Sequence, residues 1–490
     1  MFSRRTLLGA AMGSAAKGQR RKRPNFLFLI ADDHAGYVLG CDGNRLAETP
    51  HIDGLAAEGT RYAMHYCNSP VCTPSRQSFF TGQMPHMAGV TRLPTPLSDQ
   101  KPTLARQLKA AGYTTGVIGK MHFNRPAAPG LHGFDYMVTE GELDRQWRRD
   151  VQPRPAPAEI RTKPVWRPFR DPARIWLNAD QLPYPRFTED MKAAYQVRLA
   201  ERFLEDHREK PFALWVSFQE PHSPFDFPVE DRDRIRRSQF TPPRIGKEDG
   251  WQIPKVFRDL TAEDKQGIMA SYYTSARYLD QNIGAVLAAL RRLKLDDHTL
   301  IVYTADHGYD LGHHGRFEKH CGYDPALRVP LVMRLPGVIR QDVVRDFSEH
   351  IDLAPTILDF LGADPLPVQH GRSLRAKDGG RDHIFSEYLE NEEVFVRTRK
   401  WKFIFCSGNR ARGDGYEIDN PTPGRYVRLY DLEKDAGEFT DVAGQNPKIV
   451  EEMERRILER FRKTHPETEH EPAASRREDA IAFYVRPRDV

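Results

Sequence analysis

Cysteine is scarce. Cys41, Cys67, Cys72, Cys321 and Cys406 are the five in 490 residues, an odd count with scattered spacing and no CxxC pair. That argues against a disulfide framework and a cysteine-rich zinc module. No apolar run is long enough to span a bilayer, so no membrane-crossing segment is expected. Nor does one sign of charge dominate. The net charge is +5, but residues 1–23 hold seven of the basic residues and no acid, which leaves −2 for the rest. A nearly neutral body gives no reason to expect nucleic acid as a partner. What remains, 39% hydrophobic and 29% charged, is the make-up of a globular chain with a large core.

The basic start, "SRRTLLGAAMGSAA", is a twin arginine followed by apolar and small residues. It reads either as a twin-arginine export signal cleaved near Ala16 or as a disordered basic tail, "QRRKR" being atypical after such a run. The first reading places the protein in the periplasm or outside the cell, the second in the cytoplasm.

From residue 24 onward, continuous apolar runs at 25–30, 114–118, 212–218, 299–304 and 329–333 read as strands buried on both faces. Helical patterns separate them at 102–112, 263–293 and 351–361. Strands alternating with helices predict an α/β domain over 24–380, its mostly parallel sheet sandwiched by helices. Short turn-separated strands and a helix predict a smaller antiparallel α+β subdomain over 381–464. A polar, loosely held tail is expected at 465–490. Residues 145–186 are rich in Arg, Pro and Trp, with Trp147, Trp166 and Trp176 among them. This insertion is either a stiff surface loop or a rim offering Arg to anions and Trp faces to sugar or aryl rings.

In open α/β sheets ligands bind beyond the carboxyl ends of the strands. The first strand runs into Asp32 and Asp33, and the strand at 299–304 into Asp306 and His307. Asp commonly caps turns at such places, yet two pairs at one rim favour a divalent cation. Lys120, His122 and His222 stand at two further strand ends, and Lys319 follows Asp306 closely. Cations converging on a carboxylate cluster describe a site for an anionic tetrahedral group. Cys72 precedes a plausible N-cap, Thr73, and an N1 proline, Pro74, with Arg76 one turn in. The positive end of a helix there favours an anionic nucleophile or a bound oxyanion over an inert thiol.

"CTPSRQSFFTG" resembles the signature of the type I sulfatases, in which C-x-P-x-R directs oxidation of the cysteine to formylglycine. "NFLFLIADDH", "GKMHF", "PHSP", "TADHGYDLGHHG" and "YDLEKDAGEF" resemble companion motifs in family order, over roughly residues 24–464. The resemblance implies an alkaline-phosphatase-like fold and sulfate monoester hydrolysis, with a sulfated small molecule or glycan as substrate. It implies maturation of Cys72 by a formylglycine-generating enzyme acting on the unfolded chain. Asp32, Asp33, Asp306, His307 and the modified residue 72 would hold one divalent ion. Calcium is the usual ion in this family. His307 stands where many members have Asn, and its nitrogen makes manganese an alternative. Arg76 would stabilise the aldehyde hydrate and His122 hydrogen-bond it; Lys120, His222 and Lys319 would bind sulfate; Asp306 would act as base and His222 or Lys319 as acid. The stretch "KHCGYDPALRVPLV" also resembles phosphonate monoester and phosphodiester hydrolases that share the nucleophile motif. A non-catalytic binder of sulfated glycans is the third possibility.

Overall fold

The computed structural model describes residues 23–128, 130–163, 172–247, 249–250, 252–376, 380–408, 415–419, 424–473 and 476–487. The twin-arginine stretch and Trp166 lie outside them. Eight strands form the first sheet: β1 (Asn25–Ala31), β2 (Thr60–Tyr66), β3 (Thr114–Gly119), β4 (Tyr136–Thr139), β5 (Phe212–Ser217), β6 (Thr299–Ala305), β7 (Leu331–Arg334) and β8 (Asp342–Glu349). Their order is β4-β3-β5-β1-β6-β7-β2-β8. The sheet is parallel except for β7, which runs antiparallel to both β6 and β2. The run expected at 329–333 is therefore a strand that begins later and points the other way.

β1 shows why the centre of this sheet was legible. All seven of its residues are buried. Phe26, Phe28 and Ile30 face one core with Phe79, Leu104, Leu108 and Ile357. Leu27, Leu29 and Ala31 face the other with Phe203, Tyr278, Leu279 and Ile283. Alternate side chains point to opposite faces, so a strand covered on both sides has no polar position. Helices Cys72–Thr81, Leu104–Ala110 and Leu353–Leu361 supply the first cover, and Lys192–His207 and Ala262–Arg292 the second.

The second sheet comprises β9 (His383–Tyr388), β10 (Glu393–Thr398), β11 (Trp401–Cys406) and β12 (Tyr426–Asp431), an antiparallel meander packed by the Pro447–Thr464 helix. Buried charges stitch it to the first domain. Asp324 accepts from Arg397 Nε at 3.1 Å and Lys402 Nζ at 3.2 Å, and Arg460 reaches Glu349 at 3.2 Å. Among its described residues the tail is not loosely held throughout. Residues Arg477–Tyr484 form a helix whose Ile481 and Tyr484 are fully buried, the Tyr484 ring stacking on Phe461 at 5.1 Å. The stretch 465–490 is polar on average, but within it Ala480, Ile481, Tyr484 and Val485 share one helical face. Among the described residues no helix is long and apolar enough to cross a membrane.

Candidate active site

The site is assembled by register. β1 and β6 are neighbours, with Ala31 opposite Ala305, so Asp32 and Asp306 leave the sheet side by side. The Asp306 N–H donates to Ala31 O at 3.2 Å, and its Oδ1 accepts from the Asp33 N–H at 3.1 Å and from its neighbour His307 N–H at 2.9 Å. Asp33 holds a left-handed φ of 65° and its carbonyl accepts from Tyr272 Oη. β3 ends at Gly119 with φ 103°, where a Cβ would lie 1.9 Å from Ser217 O. Only glycine fits such a turn, and it sends Lys120 into the site.

Cys72 enters from the opposite side, in the first turn of the Cys72–Thr81 helix, every residue of which is buried. The helix starts two residues earlier than expected. Val71 is the N-terminal flanking residue and bonds Ser75 N–H, while the Thr73 hydroxyl, instead of capping, donates to Leu93 O at 2.7 Å. Burial of this first turn gives the Thr73 hydroxyl a tertiary acceptor in place of a local backbone N–H donor. Cys72 Sγ lies 3.2 Å from His307 Nε2, 3.3 Å from Lys319 Nζ, 3.6 Å from Asp32 Oδ1 and 3.8 Å from Lys120 Nζ. Lys120 also bonds Asp32, and Lys319 bonds Asp33 Oδ1 at 2.7 Å.

Arg76, fully buried, engages the carboxylates rather than the thiol. Nε donates to Asp306 Oδ2 at 2.9 Å and Nη1 to Lys120 O and Ser217 Oγ, while Nη2 stands 3.6 Å from Asp32 Oδ1. His222 Nδ1 faces the Ser223 carbonyl at 2.7 Å, so Nδ1 carries the proton, and Nε2 points towards Asp33 at 3.9 Å. The ring of His122 makes no hydrogen bond among the described residues; its Nδ1 is buried.

These contacts shape the proton affinities. Burial opposes ionisation of Cys72, but Lys120 and Lys319 with His307 overcome it and hold the thiol well below its usual range. Burial likewise opposes charge on Asp32, and Lys120, His222 and Arg76 outweigh it. Burial pushes Asp306 up to about 7, with Arg76 offsetting only part. Such a carboxyl lacks a full complement of positive charge. One ligand atom each from Asp32, Cys72, Asp306 and His307 lies within 4.8 Å of the others, and the same is true of Asp32, Asp33, Cys72 and His222. Convergent carboxylates with one under-compensated fit a divalent cation.

Several supporting residues escaped the sequence reading. Glu140 Oε1 takes the backbone N–H groups of Met121 (2.8 Å) and His122 (2.5 Å), fixing the turn that carries Lys120 and His122. Ser75 Oγ donates to Asp306 O, and Ser217 Oγ to Lys120 O at 2.5 Å. Ser75 lies inside the "CTPSR" signature, the one signal available; nothing in the sequence marks Glu140 or Ser217. A cavity of about 310 Å³ adjoins His222, lined by Asp144, Trp147, Arg148 and Glu220 among others. Burial raises the Glu220 carboxyl to about 7, its own N–H and Lys192 offsetting part. The insertion thus reaches the site through Trp147 and Arg148. Trp176 does not: it is 2% exposed and packs against Phe257 in the core.

Comparison with known proteins agrees with this architecture. The sulfatase family profile matches residues 24–363, and the profile "N-sulphoglucosamine sulphohydrolase, C-terminal" matches 312–464. The choline-sulfatase of Rhizobium meliloti (strain 1021) is 26% identical over 94% of this chain and 91% of its own. The N-acetylglucosamine-6-O-sulfatase of Bacteroides thetaiotaomicron is 26% identical over the same shares, 94% and 91%. The crystal structure of the phosphonate monoester hydrolase of Agrobacterium radiobacter superposes with a TM-score of 0.75 at 23% identity, covering 90% of this chain and 96% of that one, which is a likeness of fold. With its family profile spanning more than two thirds of the residues, the chain belongs to the sulfatase family, sulfuric ester hydrolases of the alkaline phosphatase-like superfamily.

Proposed function

We propose that the protein hydrolyses a sulfate monoester of a carbohydrate, with formylglycine at residue 72 and one divalent cation, calcium or alternatively manganese. The observation that carries this reading is the surroundings of Cys72 Sγ, a buried atom at a helix start with two lysines, His307 and Asp32 around it. Asp32, Asp33, Asp306, His307 and residue 72 would hold the cation, which when bound neutralises charge on the reacting oxygens. The aldehyde hydrate supplies two hydroxyls on one carbon, the first to attack sulfur and the second to expel sulfate.

The remaining work falls to the chain. Lys120 and Lys319 bind sulfuryl oxygens beside residue 72. Arg76 holds Asp306 and Asp32 in place, and Asp306 takes the proton of the attacking hydroxyl. As the imidazolium, with its Nδ1–H held by Ser223 O, His222 gives the Nε2 proton to the departing alcohol and is left neutral, with Lys319 as the second candidate. His122, its ring unpaired, accepts the proton of the second hydroxyl. A formylglycine-generating enzyme would act on the unfolded chain, since folded Cys72 is 2% exposed. Residues 1–23 would direct export to the periplasm or beyond.

The test is mass spectrometry of the tryptic peptide spanning residues 62–76 from active enzyme, together with a substrate panel. Residue 72 is expected to show the mass change of CH2SH becoming CHO and to resist thiol alkylation while Cys67 reacts. Full alkylation of both cysteines in active enzyme overturns the nucleophile. Faster turnover of phosphonate monoesters than of every sulfate monoester overturns the substrate class.

A further inference from the structure

The cavity beside His222 has more hydrogen-bonding groups than it has open ones. Asp144 is paired with Arg148 at 2.8 Å, Asp226 with Lys163, and Gln219 Oε1 with Lys192 at 2.9 Å. Trp147 is 5% exposed, its N–H donates to Asp190 O, and Arg148 and Arg186 lie over its ring at 5.9 and 5.4 Å. It has no open face for an aryl group or a quaternary ammonium, and Arg148 and Lys192 on the wall repel a cation. Apart from the exposed guanidinium end of Arg148 and the His222 ring, two groups are left. The Glu220 carboxyl, in a residue 7% exposed, has no ion pair or hydrogen-bond partner from another residue among those described, and the Gln219 amide nitrogen is likewise unmatched. They are consecutive in the chain, and the acid stands two residues ahead of His222, whose Nε2 points to the reacting centre.

A buried acceptor next to a donor is the complement of a hydroxyl group, which donates once and accepts twice. We propose that Glu220, with Gln219, is the specificity determinant for the leaving alcohol, reading a hydroxyl on a carbon near the sulfated one and so selecting polyol sulfates over aryl sulfates. The inference rests on the sulfatase reading above. A site built to bond a substrate hydroxyl leaves its own polar groups unpaired when an analogue lacks it, and that is where strong discrimination arises.

The experiment compares wild type, Glu220→Gln and Gln219→Glu, each checked by thermal melting, on N-acetylglucosamine 6-sulfate, glucose 6-sulfate, glucose 3-sulfate and 4-nitrophenyl sulfate. Gln219→Glu keeps an acceptor for Lys192, removes the donor and adds a carboxylate that Lys192 faces, so it serves if the first variant fails to fold. Each substitution is expected to lower kcat/KM on the best sugar sulfate by about 10- to 100-fold and on 4-nitrophenyl sulfate by less than about 3-fold. Equal losses on both classes, or no loss on either, overturn the assignment while the function stands. Turnover of the aryl sulfate with none of any sugar sulfate overturns the assignment and the carbohydrate preference together. Wild-type enzyme that cleaves neither class removes the sulfatase reading and the assignment with it.

Discussion

Two regions of this molecule bury charged side chains, and they handle them in different ways. Where the second sheet joins the first, Asp324 and Glu349 each meet two bases, and among the described acids there only Glu438, which shares Lys402 with Asp324, is raised by burial. Burial opposes charge on Asp324 and Glu349, yet Arg397 and Lys402 hold the first well below the usual carboxylate range, and Arg381 and Arg460 hold the second at about 2. Around residue 72 the balance is left open. Asp306 stands near 7, Arg76 Nη2 has no hydrogen-bond partner, and a thiol is drawn towards its anion. Burial alone therefore does not mark a functional site. Carboxylates drawn into two overlapping clusters that share Asp32 and Cys72, a potential nucleophile, do.

The comparison breaks first, and most visibly, at Cys72. Cys72→Ala is expected to lower kcat by roughly 10⁴-fold or more while the melting temperature stays within a few degrees. Retained turnover with a small aryl sulfate would place the nucleophile elsewhere. At the junction the expectation is reversed. Lys402→Met leaves Asp324 and Glu438 facing one cation fewer in a fully buried position. Loss of one partner of a buried pair costs about 3–5 kcal/mol, so urea unfolding should shift by that amount with kcat of the folded fraction unchanged. A variant as stable as wild type would mean that the pairing there is worth no more than an exposed one.

Acid sharpens the same contrast with a smaller effect. The folded pKa of Glu349 is depressed from its ordinary 4.5 to about 2. Its contribution to stability is then complete above pH 4.5 and fades as pH falls through 2, because the unfolded chain takes up the proton first. Unfolding free energy measured across that window should fall less steeply in Glu349→Gln than in wild type, by about 3 kcal/mol. Parallel curves would show that Arg381 and Arg460 do not hold the carboxylate.

What the sequence conveyed follows from the same physics. β1, β5 and β6 were legible because strands buried on both faces cannot interrupt their apolar runs, and their ends carry Asp32, Asp306 and His222 close by. β2 and β8 were not recognised. "TRYAMHY" mixes polar and aromatic residues, and the first half of "DVVRDFSE" is largely exposed at the sheet edge. The register that sets Asp32 beside Asp306 belongs to pairing across more than 270 positions and has no local sign. Trp147 and Trp176 looked like open ring faces because composition does not tell a covered tryptophan from a bare one. Glu140 serves the site through backbone N–H groups, which any residue owns, so no residue type advertised it.

The wholly buried helix Cys72–Thr81 has a consequence for how the gene tolerates change. In the Pro447–Thr464 helix only Met453, Glu454, Ile457, Leu458 and Phe461 are buried, so a scan of all substitutions there would rise and fall with a period near 3.6. Across Cys72–Thr81 that rhythm should vanish. Ten consecutive positions, among them Ser78 and Thr81, which touch nothing in the reaction, should resist replacement as firmly as the nucleophile's own neighbours.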